Sequence, residues 1–209
     1  MIVSVITSPD KLSSEVPVVI QLFKAGLPIL HLRKTKFTTK KLREYLDLIP
    51  PEYHSRIIIH SHHKLVFKYK LKGIHLTRTH LKKKTKSMVK VLWYRMRRPG
   101  IYITRSFHHL ESLESNRIRY SFVFLNPFFS KTEPLKNHFD ISKEFLNRTV
   151  KNYRCPVYAS GNILLENIPE LKQYSVHGVA VSKIIWINPK EAVETYKKLV
   201  EDLKSESDR

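Results

Sequence analysis

Apolar residues fall into two alternating patterns along this chain. Short continuous runs come first: Ile2–Thr7, Pro28–Arg33, Ile57-Ile58-Ile59 within Arg56–His60, and Gly73–Leu76. Gly100–Thr104, Tyr120–Leu125, Val157-Tyr158-Ala159 and Gly178–Val181 complete the series. Each run is short, largely apolar or β-branched, and closed by Ser, Pro, Asn or Gly, which predicts a buried strand. Between them lie stretches whose apolar positions return with helical spacing. Leu12–Ala25 carries Val16, Val19, Ile20, Leu22 and Phe23 on one stripe and is closed by Gly26. A helix capped by Thr38 or Thr39 runs through Leu48, where Pro50-Pro51 forbids continuation. Further helices are predicted over His60–Lys70, Leu81–Arg97, Phe107–Leu113, Ile141–Val150, Leu164–Gln173 and Pro189–Leu203.

Eight strand–helix pairs result. Strands that are continuously apolar, rather than alternating, belong in a parallel sheet covered by helices. Eight repeats predict a closed (β/α)8 TIM barrel, an α/β fold, although 209 residues is short beside the usual ~250. A doubly wound open sheet is the alternative. No linker or composition break divides the chain, so residues 1–209 are read as one domain.

Charge adds a second feature. The chain carries a formal net charge of +20, and from Tyr53 to Leu110 it contains no Asp or Glu. Such a field favours anionic partners: a phosphate or pyrophosphate, a nucleic acid, or an acidic protein. The bland counterpart is a set of solvated helix faces. The single cysteine, Cys155, has no internal disulfide partner, and its small side chain reads as entering a strand rather than as a nucleophile. No run is long and apolar enough to span a membrane, and Met1–Thr7 lacks a basic leader, so a cytoplasmic location and no membrane partner are expected.

A barrel of this kind works at the C-terminal ends of its strands. The residues there are Thr7, His31, Arg33, His60, Ser61, His75 to Arg78, Thr104, Ser106, Asn126, Ser160 to Asn162, and Ser182. The set is polar and cationic and holds no carboxylate, which suits anion binding and not chemistry by paired carboxylates. Ser160-Gly161-Asn162 and Ser182 each follow a predicted strand, where free backbone N–H groups can cradle a phosphate. The plain alternative is a pair of ordinary turns. His60-Ser61-His62-His63 invites a zinc reading, but structural zinc sites take four good ligands and no Cys is near. The cluster is therefore read as pocket or surface histidines, with no metal ligand assigned.

His31-Leu32-Arg33, Lys72–Leu76, Ser106–Glu111, Pro156–Ile163 followed by Glu166-Asn167, and Gly178–Val181 occur in an order and spacing that resembles the thiamine phosphate synthase/TenI family. The resemblance runs from about Ile2 to Trp186. It implies a (β/α)8 barrel and a role in thiamine biosynthesis. Synthase members are transferases joining a thiazole phosphate to a hydroxymethylpyrimidine pyrophosphate, with Mg2+ on the pyrophosphate. Pyrophosphate leaves, a pyrimidine cation forms, and the thiazole nitrogen captures it. TenI members isomerise a thiazole carboxylate phosphate.

Carried over by this resemblance, Gly161 and Asn162 match the family's Gly-Gly, and Val181 and Ser182 its second phosphate loop. Asn tolerates a left-handed backbone better than most residues. Arg33 is retained from the family's Gln-x-Arg-x-Lys, with His31 and Thr35 in place of the Gln and Lys. Ser106 matches a Ser facing the pyrophosphate. Ser130-Lys131-Thr132 stands against the family's Thr-x-Thr-Lys. Arg33, Ser106 and Lys131 are thereby implied as catalytic. His31, His60, Ser61, His80, Thr132, Gly161, Asn162, Val181 and Ser182 are implied as substrate-binding. The family's two Mg2+ aspartates are replaced by Ser61 and His80, which offer no carboxylate, whereas Mg2+ prefers hard, charged oxygen. TenI's isomerase His falls on Pro127.

Three readings follow. The first is a synthase in which Arg33, Arg78, Lys131 and His80 neutralise the leaving pyrophosphate. The second is a non-catalytic binder of thiazole phosphate or a related phosphate ligand. The third is nucleic-acid binding through the basic 53–110 surface, for which no helix-turn-helix, zinc-finger or RNA-binding signature is present.

Overall fold

The β-branched and aromatic runs pair as parallel strands, each strand covered outside by a helix. The computed structural model describes residues 1–8, 15–77, 84–131, 137–139 and 141–204, with the backbone alone for 84–87. Its strands are β1 (Ile2–Ile6), β2 (Ile29–Leu32), β3 (Ile57–Ile59), β4 (Gly73–Leu76), β5 (Tyr102–Phe107), β6 (Phe122–Leu125), β7 (Val157–Ser160) and β8 (Gly178–Val181). They close in sequence order into a barrel, every neighbour parallel. The open-sheet alternative is thereby excluded. Closure joins β1 to β8 through Ile2↔Gly178 and Val5↔Val181. Gly178 is required at that seam, because a Cβ there would lie 2.5 Å from the Ile2 carbonyl oxygen.

Side chains on a strand alternate between faces. Ile6, Ile29, Ile58, Phe122, Phe124, Tyr158 and Ala180 therefore form a small cluster inside the barrel. The intervening residues, such as Leu30, Leu32, Ile57 and Ile59, join the larger layer between strands and helices. That outer layer holds most of the buried apolar surface, and burial of one such side chain is worth about 1.5–3 kcal/mol.

The helices are α1 (Glu15–Lys24), α2 (Thr39–Asp47), α3 (Leu65–Lys68), α4 (Lys84–Arg97), α5 (Leu110–Glu114), α6 (Lys143–Asn152), α7 (Ile168–Leu171), α8 (Lys183–Trp186) and α9 (Ala192–Lys204). The Thr38 hydroxyl accepts from Lys41 N at the start of α2, as its capping role demands. On α4, Tyr94 is buried and stacked on Phe67, while Trp93 meets both edge-on.

Several helices are shorter than their apolar spacing predicts. The expected His60–Lys70 helix is reduced to α3, because His62 takes a left-handed φ of 49°. Its ring is held by the Phe37 carbonyl at 2.7 Å and Thr39 Oγ1 at 2.8 Å. The expected Leu164–Gln173 helix divides into a 3-10 turn, Leu165–Asn167, and α7, with Pro169 in the first turn of the latter. Proline removes the N–H that a continuous helix would need there. Phe107 belongs to β5, not to a following helix, since β5 pairs with β6 through Phe107↔Leu125. The chain after β8 makes the single turn of α8 and a further helix from Ala192.

Candidate functional site

At the C-terminal end of the barrel, a cavity of about 190 Å3 opens between the first six strands. Arg33, His60, His75, Ser106, His108 and Asn126 supply its polar lining, with Ile6, Leu76, Thr77 and Phe124. No Asp or Glu lies among these described residues. Three expected site residues, Arg33, His60 and Ser106, are thus brought together. The backbone N–H of Arg33 donates to Thr7 Oγ1 at 2.9 Å, tying the loop after β2 to the end of β1.

Beneath the mouth, three imidazoles from adjacent strands meet. His31 Nδ1 lies 3.1 Å from His60 Nε2. His60 stacks on His75 with ring centroids 4.2 Å apart and planes 16° from parallel. His75 Nδ1 is 2.9 Å from Thr104 Oγ1, and its Nε2 is 3.1 Å from Ser106 Oγ. The far side of His31 packs against Phe122 and Phe124. Burial pushes His31 down to about 3. His60 is held well below the usual imidazole range, first by burial and then by the charges of His75, His31, Arg33 and His63. His31 is wholly buried and does not line the cavity.

Strands β7 and β8 lie side by side, so the turn at Gly161-Asn162 and the turn at Ser182 leave the same end of the barrel. Gly161 and Asn162 adopt consecutive left-handed conformations, φ 86° and 56°. A Cβ on Gly161 would sit 2.9 Å from Pro127 Cα, so both conformation and space require glycine. Asn162 donates from Nδ2 to the Phe129 carbonyl at 2.8 Å, and its own carbonyl accepts from Asn167 Nδ2 at 2.9 Å. Asn126 joins this turn to the cavity: it lines the cavity, and its Nδ2 donates to Ser160 Oγ at 3.1 Å. Val181 is the buried last residue of β8. Ser182 heads α8 without a side-chain capping bond, and Trp186 Nε1 returns to the Ile6 carbonyl at 2.7 Å.

The remaining expected residues stand apart. Ser61 does not line the cavity, and its hydroxyl donates to the Lys34 carbonyl at 3.3 Å. Lys131 is exposed and away from the cavity lining. His80, Thr132 and Arg78 lie outside the described residues.

Sequence reasoning missed the pair Lys34–Glu15. Both are fully buried, with Nζ to Oε2 at 2.7 Å. Lys34 Nζ also donates to the Ser8 carbonyl, and Glu15 accepts from Ser8 N and the Tyr45 hydroxyl. Burial raises the Glu15 carboxyl more than Lys34 and the hydrogen bonds lower it. His75, expected at the working end of its strand but given no role, stacks on His60 and lines the cavity. Cys155 is buried, and burial pushes its thiol up, the reverse of activation.

The TMP-TENI family model, thiamine monophosphate synthase, matches residues 3–185. Among solved structures, a thiamine phosphate pyrophosphorylase from Bacteroides thetaiotaomicron is 27% identical, with 99% of each chain covered and a TM-score of 0.78. A second, from Pyrococcus furiosus, is 21% identical over 97% of this chain and 96% of that one, TM-score 0.72. The (S)-3-O-geranylgeranylglyceryl phosphate synthase of Thermoplasma acidophilum shares the fold at 14% identity, TM-score 0.65, over 97% of this chain and 92% of that one. No curated protein matches. No helix among the described residues is long and apolar enough to cross a membrane.

Proposed function

The chain belongs to the thiamine monophosphate synthase family, and from that premise we propose that it joins a thiazole phosphate to hydroxymethylpyrimidine pyrophosphate. In this reading the pyrimidine methylene C–O bond breaks and pyrophosphate departs with the electron pair. The thiazole nitrogen lone pair then forms the new C–N bond. The thiazole phosphate sits on the turns at Gly161-Asn162 and Val181-Ser182, and the pyrophosphate faces Arg33 and Ser106. One observation carries the reading: Asn126 links the Gly161 turn to a cavity lined by Arg33, Ser106 and the imidazoles of His60 and His75. In this reading the two halves of the site are contiguous. In this reading the Arg33 guanidinium beside the leaving group stabilises charge that develops as the bond breaks.

Mg2+, implied by the family resemblance, does not fit these residues. Mg2+ takes hard oxygen donors, chiefly carboxylates and water. The described cavity lining has no carboxylate, and the Ser61 hydroxyl is engaged by the Lys34 carbonyl. No step of the reaction is assigned to it. Lys131, on the loop after β6, is exposed and outside the cavity lining, and this reading gives it no contact with the pyrophosphate.

The same lack of carboxylates favours a second reading, a binder of thiazole phosphate that no longer catalyses. Purified protein given both substrates, with and without Mg2+, separates the two. Thiamine phosphate accumulating above the protein-free control is the expected result, with Arg33→Ala slowed by about 10²–10³, the usual loss for one electrostatic donor. Calorimetric binding of thiazole phosphate without turnover would select the binder. Neither turnover nor binding would end both readings.

A further inference from the structure

We propose that His31, His60 and His75 form a nitrogen-donor site for a borderline divalent transition metal, of which Zn2+ is the representative, at the floor of the cavity. The register of the strands builds the cluster. His31 on β2 pairs with Ile58, and Ile59 on β3 pairs with Ile74. Continuing that register sets His60 beside His75, with His31 one layer below. One nitrogen from each ring lies within 4.8 Å of the others. For Zn–N bonds of about 2.0–2.1 Å, tetrahedral ligands stand roughly 3.4 Å apart. Metal binding requires His60 and His75, which border the cavity, to turn toward one another, His75 exchanging one of its hydroxyl contacts for the metal.

A second observation points to a ligand. His31 Nε2 is buried and has no hydrogen-bond partner among the described residues. Its Nδ1 contacts His60 Nε2, and aromatic rings enclose the remainder. Either tautomer of His31 therefore leaves one buried polar nitrogen unsatisfied, which costs free energy. A polar ring in this position is poor packing, whereas an imidazole lone pair is a good ligand for a transition metal and a poor one for Mg2+. Three imidazoles with an open side toward a cavity are also the donor arrangement of a metal centre that keeps a coordination position free. Ser106 and Arg33 line the same cavity as His60 and His75, so water or an anionic oxygen could reach that position. The site differs from the family's carboxylate Mg2+ site in residues, donor atoms and metal class.

The assignment is independent of the reaction proposed above, because it is read without substrate. Full-length protein is stripped with chelator and titrated calorimetrically with Zn2+, and separately with Co2+ while visible d–d absorption is followed. One Zn2+ per chain and a d–d spectrum are expected, with Mg2+ binding far more weakly. His60→Asn and His31→Gln should each weaken Zn2+ by more than about tenfold, since loss of an outer-shell partner alone costs about 10–100-fold. His109→Asn, at an exposed position, should bind as wild type. If His31→Gln fails to fold by circular dichroism, His60→Asn, at the cavity edge, decides the matter. No saturable Zn2+ binding by the wild type, or unchanged binding in His60→Asn, overturns the proposal.

Discussion

An imidazole shut away among Phe122 and Phe124 resists protonation, and this gives the fold a pH dependence. In metal-free protein His31 titrates near 3, against 6.5 when unfolded. Below 6.5 the unfolded chain binds a proton that the native chain refuses, so acid favours unfolding. The stabilisation is complete above 6.5 and is lost at about 1.4 kcal/mol per pH unit for this residue as pH falls toward 3. Urea unfolding in chelator at pH 7.5 and 5.5 should show the loss, and His31→Gln should reduce it, leaving the share that His60 contributes in the same direction. An unchanged slope in the variant would contradict the assignment to His31. The buried pair Lys34–Glu15 makes a second prediction. Lys34→Met leaves a carboxylate without its cation and should cost about 3–5 kcal/mol, read as a shift in urea midpoint. Lys34→Met with Glu15→Gln should recover most of it. Neither the pair nor the triad was legible beforehand. Each joins residues distant in sequence, and nothing about Lys34 alone separates it from the many solvated lysines. Arg33, His60 and Ser106 were legible because a barrel strand's end marks its working residues.

At the scale of elements, strands were more readable than helices. A continuous run such as Ile57-Ile58-Ile59 suits only a place buried on both faces, and its pairing confirms it. Helix stripes overreached where one residue set a different backbone: His62 with its positive φ, and Pro169 inside the expected seventh helix. The turn after β7 depends most closely on residue type. Gly161→Ala imposes a left-handed backbone on alanine and presses its Cβ against Pro127, so a loss of about 1–3 kcal/mol is expected. Gly26→Ala carries a similar φ of 93° but meets nothing within 4 Å, and should lose less. Thermal unfolding of both variants compares them. Under the proposed function, Gly161→Ala also weakens thiazole phosphate binding by tenfold or more, and Gly26→Ala leaves it unchanged.

The whole molecule is a barrel that divides its labour. The outer layer between strands and helices carries the apolar burial, which frees the upper interior for polar groups. His31, His60, His75, Thr104 and Ser106 stand there in place of the aliphatic side chains that fill most such interiors. The barrel itself was legible, since eight apolar runs with helical spacers leave few other closures. The residues of its upper end were legible too, but not which of them touch, because those contacts are set by register. The most direct test of the central claim is a crystal structure with thiazole phosphate bound. The account predicts the ester phosphate over the turns at Gly161-Asn162 and Ser182, with the thiazole ring toward the cavity bounded by His60, Ser106 and Asn126. A phosphate bound anywhere else on the chain, with that mouth empty, would contradict it.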